Sequence, residues 1–169
     1  MPFPIQITIL EKKPPGITVR EWPAIRRETW HAIGSHWYQF ILPRHFQPNA
    51  GSVYGYRRRT TKYSKAKREG RLRSLSPAAA TMSLTKTGTL HAAMTQRGRV
   101  IRAFPTRFTV RMPGLPYTPS RRRSPQQPFL QGELTKLLKQ EIDELKQVGK
   151  KAALAAINKK RESRTTVAR

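Results

Sequence analysis

Two stretches of the chain repeat apolar residues at helical spacing, and they lie towards opposite ends. From Trp22 to about Leu42, the residues Ile25, Ile33, Trp37 and Ile41 fall on one face, with Trp30 and Phe40 close beside it. Thr18, with Glu21 three residues later, has the form of a capping box, and Trp22-Pro23 suits a first-turn proline. Gly34 weakens this helix by about 1 kcal/mol relative to alanine, and Pro43 ends or kinks it. The second stretch follows Pro128-Phe129-Leu130. There Leu134, Leu138, Ile142, Leu145 and Val148 step by four, four, three and three residues. Glu133 near its start and Lys146, Lys150 and Lys151 further along suit the helix dipole. Gly149 is a point of interruption. Ala152, Leu154, Ala155 and Ile157 can extend the stripe, and residues after Lys159 are expected to fray.

Shorter patterns fill the rest. Ile5 to Leu10 alternates apolar and polar residues as a strand does, and Lys13-Pro14-Pro15-Gly16 closes it as a turn. Val100 to Met112 alternates in part, which predicts two short strands with a turn near Pro105-Thr106. Residues 44–83 keep no sustained period apart from a short helix at Ser64 to Arg71. Leu90, Ala93 and Met94 share a face after a Thr87-Gly88 start, and residues 113–128, with five prolines, form an extended loop. The pattern gives an α+β fold: a small antiparallel sheet packed against an N-terminal and a C-terminal amphipathic helix, with long basic loops and extended arms. Residues 1–18 form an N-terminal arm with its strand. Residues 19–148 form one domain containing the loops 44–83 and 113–128, and residues 149–169 form a basic tail. The expected core and anchor residues are Trp30, Ile33, Trp37, Phe129, Leu134, Leu138, Ile142 and Leu145.

Charge changes this picture most. The 169 residues carry 34 Lys and Arg against 9 Asp and Glu, a formal net charge of +25. Between Arg44 and Arg123 there are 19 basic residues and one acid, Glu69, whereas Glu133, Glu141, Asp143 and Glu144 put four acids within 12 residues. Such an excess repels itself and points to a polyanion or an acidic protein surface. Arg57, Arg58, Arg59, Lys62, Lys65, Lys67, Arg68, Arg71 and Arg73, with Arg121, Arg122 and Arg123, are the candidate polyanion or partner contacts. Tyr54, Tyr56 and Tyr63 are placed to stack on bases or guanidinium groups.

Several classes are excluded or disfavoured. With no cysteine there is no disulfide framework, cysteine zinc site, iron–sulfur cluster or thiol nucleophile. No apolar run approaches the roughly 20 residues that span a bilayer. The N-terminus lacks the basic start and apolar run of a secretory signal, and Glu11, Glu21 and Glu28 argue against a mitochondrial presequence, so a reducing cytoplasm is the expected compartment. Asp143, the single Asp, and the pair Glu141 and Glu144 read as a solvated charged face of the last helix rather than an acid–base pair. His31 and His36 are five residues apart, off the four-residue spacing of a helical zinc pair, and no phosphate-binding glycine loop forms. No catalytic residue, metal or cofactor is expected. A nuclease ranks last because no carboxylate cluster is placed to hold two metals.

Three local features in chain order resemble a known family. They are Gly34-Ser35-His36-Trp37 followed by Arg44-His45-Phe46 and Tyr54-Gly55-Tyr56-Arg57; Leu84-Thr85-Lys86-Thr87-Gly88-Thr89-Leu90; and Gln127-Pro128-Phe129-Leu130 before the last helix. Together, over residues 20–148, they resemble the tail-completion, or virion-morphogenesis, proteins of tailed bacteriophages. The resemblance implies a small α+β structural protein of the head–tail junction, assembled in the host cytoplasm. It implies a ring of identical subunits, usually six, around the DNA channel. Its partners would be the neighbouring connector or stopper and the tail-terminator or tail-tube proteins, with packaged double-stranded DNA nearby and no membrane. The alternative is a basic ribosomal or ribonucleoprotein component that binds RNA.

Overall fold

The computed structural model describes residues 3–5, 12–56, 61–69, 71, 100–111 and 130–167. Strand β1 (Phe3–Ile5) is followed by helix α1 (Trp22–His36), a wide π turn (Trp37–Ile41), a tight 3-10 turn (Leu42–Phe46) and the short helices α2 (Ala50–Val53) and α3 (Thr61–Arg68). Strands β2 (Val100–Ala103) and β3 (Phe108–Arg111) come next, then a one-turn helix α4 (Leu130–Leu134) and the long helix α5 (Lys139–Val167). The strands form an antiparallel sheet in the order β1-β3-β2, with Phe3 opposite Val110 and Ile101 opposite Val110 on the other side. The chain is therefore α+β, with a small antiparallel sheet and both amphipathic helices in place. The β2–β3 turn falls at Pro105-Thr106 as the alternation predicts, and the Phe104 N–H closes it onto the Arg107 carbonyl at 2.8 Å. The expected strand at Ile5 to Leu10 meets β1 at Ile5, and the rest of it lies outside the described residues.

Helix α1 enters through the predicted capping box. The Thr18 N–H donates to Glu21 Oε2 at 3.0 Å, and the Glu21 N–H donates back to Thr18 Oγ1 at 3.3 Å. This closes a turn ahead of the first regular helical residue, with Pro23 inside the first turn, where its missing N–H costs nothing. The predicted stripe is the core: Ile25, Trp30, Ile33, Trp37 and Ile41 are buried. Phe40 departs from it. The Leu42 N–H reaches back five residues to the Trp37 carbonyl, and this widened turn leaves Phe40 53% exposed. Pro43 then stands at the start of the 3-10 turn, where the chain changes helix type instead of losing an interior bond.

The C-terminal stripe is divided rather than continuous. Leu134 ends α4, residues 136–138 are non-helical, and α5 begins at Lys139. Leu134 and Leu145 are fully buried, while Leu138 and Ile142 are half-buried; Phe129 lies outside the described residues. Gly149 does not interrupt α5, and the helix does not fray after Lys159 but runs to Val167, so most of the expected basic tail is helix. Its stripe continues through Ala153, Ala156 and Ile157, which are buried, whereas Leu154 faces solvent. Ala156 and Ile157 meet Ile17, Ile25 and Trp22 in a second small core. The expected helix at Ser64 to Arg71 is α3, three residues earlier at each end.

The main core joins α1 to the sheet and to α4 and α5 through Trp30, Ile33, Trp37, Phe46, Phe108, Val110, Leu134 and Leu145. Phe108 meets the Trp30 and Trp37 rings at centroid distances of 6.2 and 6.1 Å. Gly34 makes this approach possible: a Cβ there would sit 2.7 Å from Phe108 Cδ2 and 3.0 Å from Ile101 Cγ2. Its helix-propensity cost is therefore offset by the close packing of α1 on the sheet. Gly34→Ala should destabilise the fold by about 1–2 kcal/mol, the overpacking penalty less the recovered propensity. Urea unfolding of the variant checks this.

Candidate functional site

The end of the molecule where α1 runs into its π turn carries a polar network whose members are far apart in sequence. His36 Nε2 lies 2.6 Å from Glu144 Oε1. Arg44, on the 3-10 turn, donates to both Glu144 oxygens, at 3.1 and 3.4 Å, and to Glu141 Oε1 at 3.4 Å. The Tyr54 hydroxyl donates to the same Glu141 oxygen at 2.6 Å, and the Leu138 N–H donates to Glu141 Oε2 at 3.0 Å. Glu141 is only 1% exposed.

These contacts correct the reading of Glu141 and Glu144 as a solvated charged face. Asp143 is exposed as expected and meets Lys146 at 3.8 Å, but its two neighbours turn inwards. The local reason is the start of α5. Leu138 is its N-cap residue and Glu141 its N3 residue, so the carboxylate caps the Leu138 N–H in half of a capping box. Without Ser or Thr at position 138 the sequence lacks the usual signature. Glu144 stands one turn further on, beside His36 at the end of α1.

An aromatic stack backs the network. His45 lies 4.0 Å from Tyr54 and nearly parallel to it, and Tyr54 lies 5.8 Å from Tyr56. His45 is fully buried, with Nδ1 against the Tyr56 hydroxyl. Lys136 donates to the Gly55 carbonyl at 2.6 Å and sits over the Tyr56 ring. Tyr54 and Tyr56, expected from the sequence to stack on bases, are thus packed within the fold. An open cleft of about 210 Å³ beside the network is lined by Arg44, Gln47, Asn49, Tyr54, Gln140 and Glu141, among others.

Burial and charge set the titration of these groups. Burial pushes the Tyr54 phenol well above its ordinary range, and its bond to Glu141 pushes the same way. The His36 bond holds the Glu144 carboxyl below the usual range against some desolvation, and Arg44 reinforces this. Burial lowers His45 from 6.5 to about 4. The network has the features of a structural lock. Its carboxylates are engaged by Arg44, His36, Tyr54 and a main-chain N–H, and no group of three or more potential metal ligands occurs among the described residues.

The candidate polyanion residues are placed elsewhere. Lys62 and Lys65 are exposed on α3, and Lys67 and Arg68 belong to the same helix. Glu69 is shared between Lys65 at 3.9 Å and Arg71 at 3.2 Å. Arg57, Arg58, Arg59, Arg73, Arg121, Arg122 and Arg123 lie outside the described residues. Comparison with family models, curated proteins and solved structures finds no match.

The network sets two expectations for stability. Glu141→Ala leaves the Tyr54 hydroxyl and the Leu138 N–H without their acceptor and Arg44 with Glu144 alone, and should cost about 2–3 kcal/mol, whereas Tyr54→Phe should cost about 1 kcal/mol; chemical denaturation separates them. The lowered His45 value means that the unfolded chain binds a proton the native chain refuses between pH 6.5 and about 4. Stability from this group is full above pH 6.5 and is lost as pH falls to about 4, by about 3 kcal/mol in all. Urea midpoints across that window should show the slope, and His45→Phe should flatten it.

Proposed function

We propose that this chain is a non-enzymatic structural subunit of the head–tail junction of a tailed bacteriophage. In this reading it forms a ring, of about six copies by the resemblance, around the DNA channel between neighbouring connector and tail proteins. The observation that carries the reading is the division of charge. Glu133 and Glu141 are buried, Glu144 is tied to His36 and Arg44, and Glu21 to Thr18 and Arg164. These four carboxylates hold the fold together, Glu69 and Asp143 pair locally with Lys65, Arg71 and Lys146, and other exposed cations, among them Lys62 of α3 and Lys150 and Lys151 of α5, remain for a partner. A subunit built this way carries an excess of positive charge that a polyanion or an acidic neighbour neutralises.

The α+β fold, in which α1 packs on the small sheet on one side and on α5 on the other, is of the general class that the resemblance of the Thr87-Gly88-Thr89-Leu90 and Pro128-Phe129-Leu130 steps implies. No catalysis is required of such a subunit. Ring closure needs a head-to-tail contact that repeats by rotation, and the basic segment 57–73 faces either the DNA in the channel or acidic patches on adjoining rings.

A phage carrying this reading frame with an early stop codon tests the proposal by electron microscopy of the lysate. DNA-filled heads and finished tails, lying apart, are expected. Intact, infectious particles would overturn the reading, and tight, salt-sensitive RNA binding by the purified chain would then favour a ribonucleoprotein component.

A further inference from the structure

The end of α5 and the turn before α1 form a second cationic surface, remote in sequence from residues 57–73. Residues 12–21 and 158–165 together hold seven Lys and Arg side chains against two carboxylates, Glu21 and Glu162. The small core of Ile17, Ile25, Ala156 and Ile157 binds the two segments together. Main-chain carbonyls fix three of the cations. Lys13 Nζ donates to the Ile17 carbonyl at 2.7 Å, Arg161 to that of Pro15 at 3.3 Å, and Arg164 to that of Gly16 at 2.9 Å. Gly16 takes a φ of 80°, the left-handed turn that presents this run of carbonyls.

A carbonyl is a neutral acceptor, so it fixes a cation without cancelling its charge. Arg164 also meets the Glu21 carboxylate, but Lys13 and Arg161 keep their full charge at settled positions. Lys12, Arg20 and Lys159 stand exposed on the same two segments. The ordering that a flexible basic loop must undergo on binding has thus already occurred here in part. The chemistry of the surface narrows its partner. Protein interfaces have cores depleted of charge and filled by large apolar side chains, whereas Val19 is the one large apolar side chain exposed on these segments. Charge without an apolar centre suits contact with phosphates, which fixes position without reading sequence.

We propose that this surface binds the phosphate backbone of double-stranded DNA. The assignment names the DNA-facing side of the subunit and rests on the junction reading for its occupant. The test uses the full chain and a fluorescently labelled DNA duplex, with anisotropy read across a potassium chloride series. The variant Lys12→Gln/Arg20→Gln/Lys159→Gln removes exposed charge and leaves the carbonyl-anchored side chains and Glu21 in place. Its thermal midpoint should match the parent's, while its plot of log affinity against log salt should be shallower by about 2–3, near 0.9 for each phosphate no longer neutralised.

An unchanged slope would overturn the assignment, above all if Lys62→Gln/Lys65→Gln reduced it instead. Tighter binding of polyglutamate than of the duplex, at matched charge and the same salt, would also overturn it, in favour of an acidic protein partner. The two readings fail separately. Detached heads and tails with an unchanged slope would keep the junction and remove this surface, and intact particles with a reduced slope would do the reverse.

Discussion

The antiparallel seam between α1 and α5 is the constraint on which the rest of the structure depends. Its middle is apolar, through Ile25 and Ile33 of α1 and Leu145, Ala153 and Ile157 of α5. Apolar packing alone tolerates sliding, because neighbouring turns of a stripe resemble one another. Each end is pinned by groups that do not repeat. At one end Glu144 meets His36 and Arg44; at the other Arg161 and Arg164 reach the carbonyls of Pro15 and Gly16. With the register fixed, Gly34 faces Phe108 and Ile101, and the sheet can close on the other side of α1.

Glu141 shows how a buried charge is made tolerable. Desolvating a carboxylate costs several kcal/mol, so attraction to one cation seldom suffices. Here Arg44 is joined by a phenolic hydroxyl and a main-chain N–H that needed a cap in any case. Each donor belongs to a different stretch of chain: the 3-10 turn, the residue after α2, and the start of α5. Their convergence on one side chain gives the network its directional content, which the apolar core beside it lacks.

What can be read from the sequence follows from how local each cause is. The Thr18–Glu21 box, the stripe of α1 and the turn at Pro105-Thr106 are set by neighbours in the chain, and the structure has all three. Glu141 and Glu144 look solvated in the sequence because their partners Tyr54, Arg44 and His36 lie far away, at separations of 87, 100 and 108 residues. In isolation, Glu-x-x-Glu beside lysines is what a solvated helix face looks like. The extension of α5 past Lys159 is hidden for the same reason. Arg161 and Arg164 offer no helical signal beyond propensity until the Pro15-Gly16 turn presents its carbonyls. The outward turn of Phe40 depends on a single widened turn, which period counting cannot register.

The same arrangement bears on the net charge of +25. A small fold can place its acids in two ways: scattered over the surface they screen its cations, and gathered inside they hold its elements together. This chain divides them: Glu133 and Glu141 are buried and Glu21 and Glu144 tie its elements together, while Glu28, Glu69, Asp143 and Glu162 stay on the surface, so the acids drawn inwards do not screen the outer cations. Cations fixed by carbonyls rather than by carboxylates carry the choice further, since they gain order and lose no charge. The self-repulsion that results opposes folding at low salt and is relieved when a polyanion comes alongside. Binding of such a partner and stability of the subunit are then linked: whatever neutralises the outer cations also tightens the seam that holds α5 against α1.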